Sequence, residues 1–127
     1  MMQAGEYYVG DLCYVLHERW DEVCSLIIKG NKCLDGEFEL SDGTKFAIYS
    51  TAYGDGTYFD QGDNEYWVDA GSIGCVLLED IDLSVEGNQI MGGRVVDITH
   101  DFTTGSMDGV LKFGPVHIDT DPEDDYA

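Results

Sequence analysis

The feature that most constrains the fold is a succession of short alternating segments separated by turn residues. After an initial helical segment, strand-like stretches follow one another about every 8 to 14 residues, with Gly, Asp and Asn between them. In GEFEL, Phe38 and Leu40 alternate with Glu37 and Glu39, the pattern of a strand buried on one face. This series predicts a mainly β (α+β) domain, an antiparallel sandwich or partly closed barrel of about 7–8 short strands.

One segment has helical rather than strand periodicity. Its apolar residues recur at spacings of three and four and are Leu16, Trp20, Val23, Cys24, Ile27 and Ile28. Acidic residues near its start and Lys29 near its end suit the helix dipole, and Gly30 is placed to end it. The pattern predicts one amphipathic helix at about 17–29, which seals one face of a sheet. Before it, Glu6–Val15 is predicted as a strand interrupted at Gly10.

The length of 127 residues predicts one globular domain at 1–118, followed by a flexible acidic tail at 119–127. No run of about 18 apolar residues is present, and the N-terminus does not resemble a signal peptide, so we expect a cytoplasmic protein without a membrane partner. Cys13, Cys24, Cys33 and Cys75 form no C-x-x-C pair and are expected to be reduced thiols that pack as small apolar groups.

Charge is the dominant feature of the composition. Asp and Glu number 26 against six Lys and Arg, which gives a formal net charge of −20. Such a chain repels nucleic acid and anionic membranes and attracts basic surfaces. Spread evenly over a domain of this size, the net charges would lie about 18 Å apart, beyond the Debye length of about 8 Å at physiological salt. The charge can therefore support specific binding only where acidic residues cluster on the surface.

The acidic residues do group along the sequence. Same-face carboxylates two residues apart on a strand stand about 6.6 Å apart, so acidic strands can approach the charge density of a phosphate backbone. Aromatic side chains between the charges suit interface anchors, and the hairpin at 53–71 is predicted to have an aromatic inner face and an acidic outer one. The predicted partner-binding residues are Asp55, Asp60, Asp63, Glu65 and Asp69, then Glu79, Asp80, Asp82 and Glu86, with Tyr53, Tyr58, Tyr66 and Trp67 as anchors. The tail adds Asp119, Asp121, Glu123, Asp124 and Asp125.

No catalytic motif supports an enzyme. His17, His100 and His117 are the candidate general bases, but Thr99, His100 and Asp101 are neighbours on a predicted strand and point to opposite faces. We therefore expect no catalytic residues, no cofactor and no metal. A calcium or small-ligand module remains an alternative, because Asp55, Asp60 and Asp63 supply oxygen ligands among glycines.

Three segments carry a resemblance to known proteins: YYVGDLCYVL at 7–16, TAYGDGTYFD at 51–60 and YWVDAGSIGCV at 66–76. Together they resemble small acidic proteins of bacteriophage and bacterial genomes that share GD-x-CY, YGDG-x-Y and VDAG-x-IG segments. Those proteins are uncharacterised, so the resemblance implies a phage or bacterial context and no site residues. By analogy with other small, very acidic phage proteins, we expect an anti-defence protein of the anti-CRISPR or anti-restriction type. We therefore expect a non-enzymatic inhibitor that occupies a basic, nucleic-acid-binding partner. An immunity or antitoxin protein against a basic nuclease is the alternative within the same class.

Overall fold

The computed structural model describes residues 1–121. Its strands are β1 (Gly5–Gly10), β2 (Ile28–Lys29), β3 (Lys32–Cys33), β4 (Gly36–Glu39), β5 (Lys45–Ser50), β6 (Gly56–Asp60), β7 (Glu65–Val68), β8 (Ser72–Leu77), β9 (Arg94–Ile98), β10 (Thr104–Met107), β11 (Val110–Phe113) and β12 (Val116–Asp119). One α-helix, α1, spans Trp20–Ile27. Short 3₁₀ turns occupy Leu12–Tyr14, His17–Arg19 and Leu78–Asp80.

The strands form two antiparallel five-stranded sheets. The first sheet has the order β4-β5-β8-β1-β9 and the second has the order β10-β11-β12-β6-β7, while β2 and β3 form a separate small hairpin. The sheets face each other across a core and remain two separate sheets in the described chain. This confirms the predicted mainly β fold, as a sandwich rather than a partly closed barrel. The strands beyond the expected number include the two-residue β2 and β3 and the weakly patterned β10.

The central strand β8 is buried on both faces, as its continuous apolar run predicts. One of its faces joins the core between the two sheets. The large buried side chains of that core include Tyr7, Tyr49, Tyr58, Tyr66, Ile73, Leu111, Phe113 and Ile118. Because side chains alternate along a strand, the next residues of the first sheet face the opposite side.

That opposite side of the first sheet is covered by α1 and the 3₁₀ turns before it. Val23 and Ile27 of α1, with Leu12 and Leu16, pack on side chains that include Phe46. The molecule therefore has three layers: α1, the first sheet and the second sheet. No helix or further sheet of residues 1–121 packs on the outer face of the second sheet.

The structure corrects two element boundaries. The α-helix ends at Ile27 instead of extending to Lys29, because Ile28 has an extended backbone (φ −99, ψ 114) and begins β2. Gly30, with φ +64, turns the hairpin of β2 and β3 rather than ending the helix. The first strand stops at Gly10, since the side chain of Asp11 accepts a hydrogen bond from the amide of Cys13 and starts a 3₁₀ turn.

The described chain continues past the predicted end of the globular domain at residue 118. Strand β12 includes Asp119, and Thr120 is fully buried with its hydroxyl bonded to the carbonyl of Gly109 (2.5 Å). Of the predicted tail, residues 122–127 lie outside the described residues. Among residues 1–121, no helix is long and apolar enough to cross a membrane.

Candidate functional site

The hairpin of β6 and β7 carries most of the residues predicted to bind a partner. Its inner face packs into the core between the sheets. Strand alternation places Tyr58 and Asp60 on that inner face, together with Tyr66 and Val68 from β7. Because Asp60, Tyr58 and Tyr66 are buried, the prediction that these three residues contact a partner is wrong.

The buried carboxylate of Asp60 holds the turn of this hairpin together. It accepts hydrogen bonds from the amides of Gly62 (2.8 Å) and Asn64 (3.0 Å) and from the hydroxyl of Tyr66 (2.7 Å). Arg94 of the first sheet adds an ion pair (3.2 Å). Burial alone would raise the pKa of Asp60, but the hydrogen bonds outweigh burial and lower the pKa to about 2. Asp60 therefore ties the two sheets together and does not face a partner.

The outer face of the second sheet displays one continuous row of side chains across all five strands. By strand register the row is Met107, Val110, Asp119, Phe59 and Glu65, one residue from each strand. Trp67 lies on the same face, two residues along β7 from Glu65. Met107 is 70% exposed, Phe59 48% and Trp67 47%. We call these six residues the outer row.

Trp67, one of the predicted anchors, is exposed, and so are Phe59 and Met107, which were not among the predicted residues. Alternation along β6 assigns Tyr58 and Phe59 to opposite faces, yet it does not say which of the two faces inward. The usable signal is Glu65, which is opposite Phe59 in the register and marks that side as the solvent side. The hairpin therefore has aromatic residues on both faces, not only on the inner one.

Each exposed aromatic anchor of the prediction lies against a carboxylate. The indole nitrogen Nε1 of Trp67 donates to Oε2 of Glu65 (2.8 Å). The hydroxyl of Tyr53, a residue 55% exposed, donates to the carboxylate of Asp121 (2.9 Å). The amide of Asp121 in turn donates to the carboxylate of Asp119 (2.9 Å). Acidic and aromatic groups are thus interleaved on this side of the sandwich.

The three segments singled out by resemblance meet at one end of the sandwich. The fully buried carboxylate of Asp11 accepts from the amides of Asp69 and Ala70, both at 2.7 Å. The amide of Thr51 donates to the carbonyl of Gly71 (3.1 Å). These contacts give the segments a structural role, since they hold three loops together. Asp11 was not among the predicted site residues.

The same end of the sandwich determines where the first acidic cluster lies. Asp55 precedes β6 and Asp69 follows β7, next to the terminal residue pair of the hairpin, so these two carboxylates lie at the same end. Asp63 lies in the turn at the opposite end, about 13 Å away along the strands. Glu65 lies on the outer face. The first predicted cluster is therefore divided between the two ends and one face of the hairpin.

The second acidic cluster is brought together around one cation. Arg19 contacts the carboxylate of Glu18 (3.2 Å), the carboxylate of Asp42 (2.6 Å) and the backbone carbonyl of Asp80 (2.9 Å). The predicted residues Glu79, Asp80 and Asp82 are joined here by Glu18 and Asp42, which sequence analysis did not include. We call these five acidic residues the Arg19 cluster. This cluster lies just after the C-terminal end of β8. It is about 20 Å from Asp69, which precedes the N-terminal end of the same strand.

A loop supported by Asn88 completes the surroundings of the Arg19 cluster. The buried amide of Asn88 donates to the carboxylate of Glu18 (2.5 Å) and to the carbonyl of Asp82 (3.0 Å). Glu86, the last residue of the second predicted group, is exposed on this loop. The sequence alone could not predict this cluster, because Glu18 and Asp42 are distant from Asp82 along the chain.

The surroundings of Asp80 in the Arg19 cluster disfavour its ionised form. Burial raises the pKa of Asp80, and the charges of Glu79 and Asp42 raise it further, while Arg19 acts in the opposite direction. A carboxylate with a raised pKa is one whose ionised form is disfavoured by its surroundings. An additional cation at this position would therefore be favourable.

The histidines do not form a catalytic constellation in the described chain. His17 belongs to the 3₁₀ turn before α1, His100 follows β9, and His117 lies on the outer side of β12. Within residues 1–121, none of their imidazole rings has a hydrogen bond to a hydroxyl, thiol or carboxylate. A groove of about 320 Å³ beside the start of β1 is lined by Gln3, Gly5, Glu6, Leu77 and Glu79 among others, and no serine, threonine, cysteine or histidine lines it.

The described residues form no group of three or more His, Cys, Asp or Glu side chains that could hold a metal ion. Asp60, one of the candidate calcium ligands, instead bonds to its own turn and to Arg94. The four cysteines are free, and Cys33 is exposed. Burial raises the pKa of Cys75 to about 12, so this thiol stays protonated at neutral pH.

The fold and its surfaces define a three-layer acidic β-sandwich. Comparison with protein-family models, with curated proteins and with solved structures finds no match to the chain.

Proposed function

We propose that this protein is a non-enzymatic acidic binding protein that occupies a basic, nucleic-acid-binding partner and thereby blocks its nucleic-acid site. A host defence effector that holds nucleic acid in a basic groove has the properties that this proposal requires. The proposal places both proteins in the cytoplasm. It involves no cofactor, no bound metal and no direct contact with nucleic acid.

The first support is the small number of internal ion pairs. In residues 1–121, ion pairs engage only the carboxylates of Glu18, Glu37, Asp42 and Asp60. The other described carboxylates have no cationic partner within 4.0 Å, and the chain has only six Lys and Arg in total. Most of its negative charge is therefore available to a basic partner.

The observation that carries the proposal is the Arg19 cluster. The guanidinium of Arg19 pairs directly with the carboxylates of Glu18 and Asp42. Burial raises the pKa of Asp80, and the charges of Glu79 and Asp42 raise it further. A protein selected only for stability would gain from neutralising one of these side chains. Groups that oppose local stability are the ones expected at a functional surface. A cationic partner relieves this repulsion on binding.

Carboxylate spacing gives further support. Glu37 and Glu39 are exposed on the same face of β4, about 6.6 Å apart along the strand, and Glu37 pairs with the N-terminal ammonium (2.7 Å) while Glu39 has no cationic partner in residues 1–121. Asp121 follows the end of β12, and its amide donates to the carboxylate of Asp119 (2.9 Å), so these two acidic residues are also neighbours. Such pairs provide the repeated negative charge that a phosphate-binding groove accepts.

The test is capture of partners by immobilised protein from extracts of cells in which the protein occurs, with elution by increasing salt. We expect a basic nucleic-acid-binding protein that elutes at moderate ionic strength and is displaced by added nucleic acid, since screening weakens such contacts. A variant with Glu79→Gln, Asp80→Asn and Asp82→Asn should retain less of it. A captured partner with a neutral or acidic contact surface, or binding insensitive to salt, would contradict the proposal.

A further inference from the structure

The outer row is an apolar surface that the described chain leaves uncovered. It crosses all five strands of the second sheet, a width of about 19 Å at a strand spacing of about 4.8 Å. The outer face of the first sheet is buried under α1, so the two sheets differ in this respect. Large exposed side chains such as Met107, Phe59 and Trp67 on one face are typical of an interaction surface.

We propose that the outer row is the docking surface for an arginine-bearing surface of a basic protein partner. This inference rests on the proposed function and names a second contact surface, besides the Arg19 cluster, together with the partner side chain that this surface binds. Charge complementarity supports this assignment. Asp119 stands between Val110 and Phe59 in the row, and Glu65 is at its end beside Trp67.

Cations are scarce on this face. Among residues 1–121, Lys112 is the one lysine or arginine on the exposed side of β10, β11, β12, β6 or β7. It lies in the neighbouring row, opposite Gly105 and His117. Asp121 follows β12 and adds a carboxylate next to Asp119. The face therefore attracts cationic groups and repels anionic ones.

The pairing of Glu65 with Trp67 favours arginine over lysine. The indole Nε1 holds Oε2 of Glu65 at 2.8 Å, which keeps a carboxylate beside an exposed aromatic ring. A guanidinium can stack on such a ring and donate to the carboxylate at the same time, because it is planar and presents several N–H groups. An ammonium group lacks this planar fork.

Charge also argues against a second copy of this chain as the occupant. Face-to-face association would bring together two molecules that each have a net charge of −20, with Asp119 and Glu65 in the interface. Nucleic acid and anionic lipid are disfavoured by the same repulsion. A basic protein surface is the occupant that suits both the apolar and the acidic residues.

The experiment measures binding of an oligo-arginine peptide and an oligo-lysine peptide of equal length by calorimetric titration at moderate salt. The test variants are Phe59→Ala with Trp67→Ala, and Glu65→Gln. Their matched controls are Leu83→Ala, which truncates an apolar side chain 55% exposed beside Asp82, and Glu86→Gln, which removes one exposed charge elsewhere. Because all these side chains are exposed, thermal unfolding should confirm that each variant folds.

We expect the wild-type protein to prefer the arginine peptide. The double aromatic variant should bind the arginine peptide roughly three- to thirtyfold more weakly, which is the range that cation–π contacts contribute. It should also bind the arginine and lysine peptides equally. Glu65→Gln should weaken binding more than Glu86→Gln, and Leu83→Ala should bind as the wild type does.

Three results would overturn the inference. In the first, the double aromatic variant keeps its arginine affinity, while Glu86→Gln or an Arg19-cluster variant loses it. The contact would then lie outside this face, and the proposed function would still stand. A wild-type dimer that Trp67→Ala dissociates would identify a second copy as the occupant. Failure of the wild type to bind either peptide at low salt would remove the proposed function as well.

Discussion

Two carboxylates show how differently the same chemical group is used in this protein. Asp60 is buried, has five hydrogen-bonding contacts with Gly62, Asn64 and Tyr66, and has a lowered pKa. Asp80 has acidic neighbours and a raised pKa. The first carboxylate stabilises the fold when ionised, whereas the second opposes folding when ionised. Sequence pattern does not distinguish them, because the donors around Asp60 include Arg94, from a distant strand.

Asp60→Asn should destabilise the protein by about 3 kcal/mol, because it removes a charged acceptor from several buried donors and the partner of Arg94. Urea unfolding measures the change. The control is Asp63→Asn in the same turn, which is exposed at φ 63, a conformation that Asn also tolerates. That control should change stability by less than about 0.5 kcal/mol. Equal effects of the two substitutions would contradict the structural role of Asp60.

The lowered pKa of Asp60 predicts a window of acid sensitivity. Its pKa is about 2 in the folded protein against an ordinary value of 3.8, so its stabilising effect is fully present above about pH 4 to 5. That effect is lost as the pH falls towards 2. The difference in unfolding free energy between wild type and Asp60→Asn should therefore shrink across this range. A difference that stays constant from pH 5 to pH 2 would show that the charge of Asp60 does not contribute.

Asp80→Asn should have the opposite effect and stabilise the protein at pH 7, by at most about 1 kcal/mol. The raised pKa means that the ionised form costs stability above the folded pKa, and that this cost disappears as the pH falls below it. Thermal unfolding should show a higher midpoint at pH 7 and no gain near pH 3. The same variant should bind the captured partner more weakly. Lower stability at pH 7 would mean that the Arg19 cluster contains no net repulsion at this position.

At the scale of the element, period-two alternation predicted the buried faces of β4 and the burial of β8 well. It did less well for β6 and β7, because both faces of this hairpin carry aromatic residues, such as Tyr58 inside and Phe59 outside. The helix boundary at Ile27 was also missed, since Ile28 continues the apolar period but begins an edge hairpin. Local periodicity specifies which residues share a face, and the identity of the buried face depends on the rest of the fold.

Strand β8 provides an element-scale prediction. A Cβ at Gly74 would lie against the carbonyl oxygen of Ala47 and 2.8 Å from Cδ1 of Leu12. Gly74→Ala should therefore destabilise the protein by at least about 2 kcal/mol. Gly105 on edge strand β10 is the matched control, because a Cβ there meets nothing within 4 Å. Chemical denaturation of both variants compares them directly, and a Gly74→Ala variant as stable as Gly105→Ala would contradict the packing around β8.

At the scale of the whole molecule, the acidic residues form separate surfaces rather than one band. The Arg19 cluster lies at the C-terminal end of β8, and the carboxylates of Asp55 and Asp69 lie at the other end of the sandwich. The outer row faces away from α1. Composition alone predicted an acidic binding protein, but the grouping of Glu18 and Asp42 with Asp82 depends on chain topology. A partner that contacts several of these surfaces would have to present a concave basic site.

The most direct test of the central claim is equilibrium competition on the captured partner. Labelled nucleic acid is first bound to that partner, and this protein is then added at increasing concentration and at several salt concentrations. We predict complete displacement of the nucleic acid near equimolar protein, with an apparent affinity that falls steeply as salt rises. Formation of a ternary complex in which the nucleic acid stays bound, or displacement that does not depend on salt, would contradict the claim.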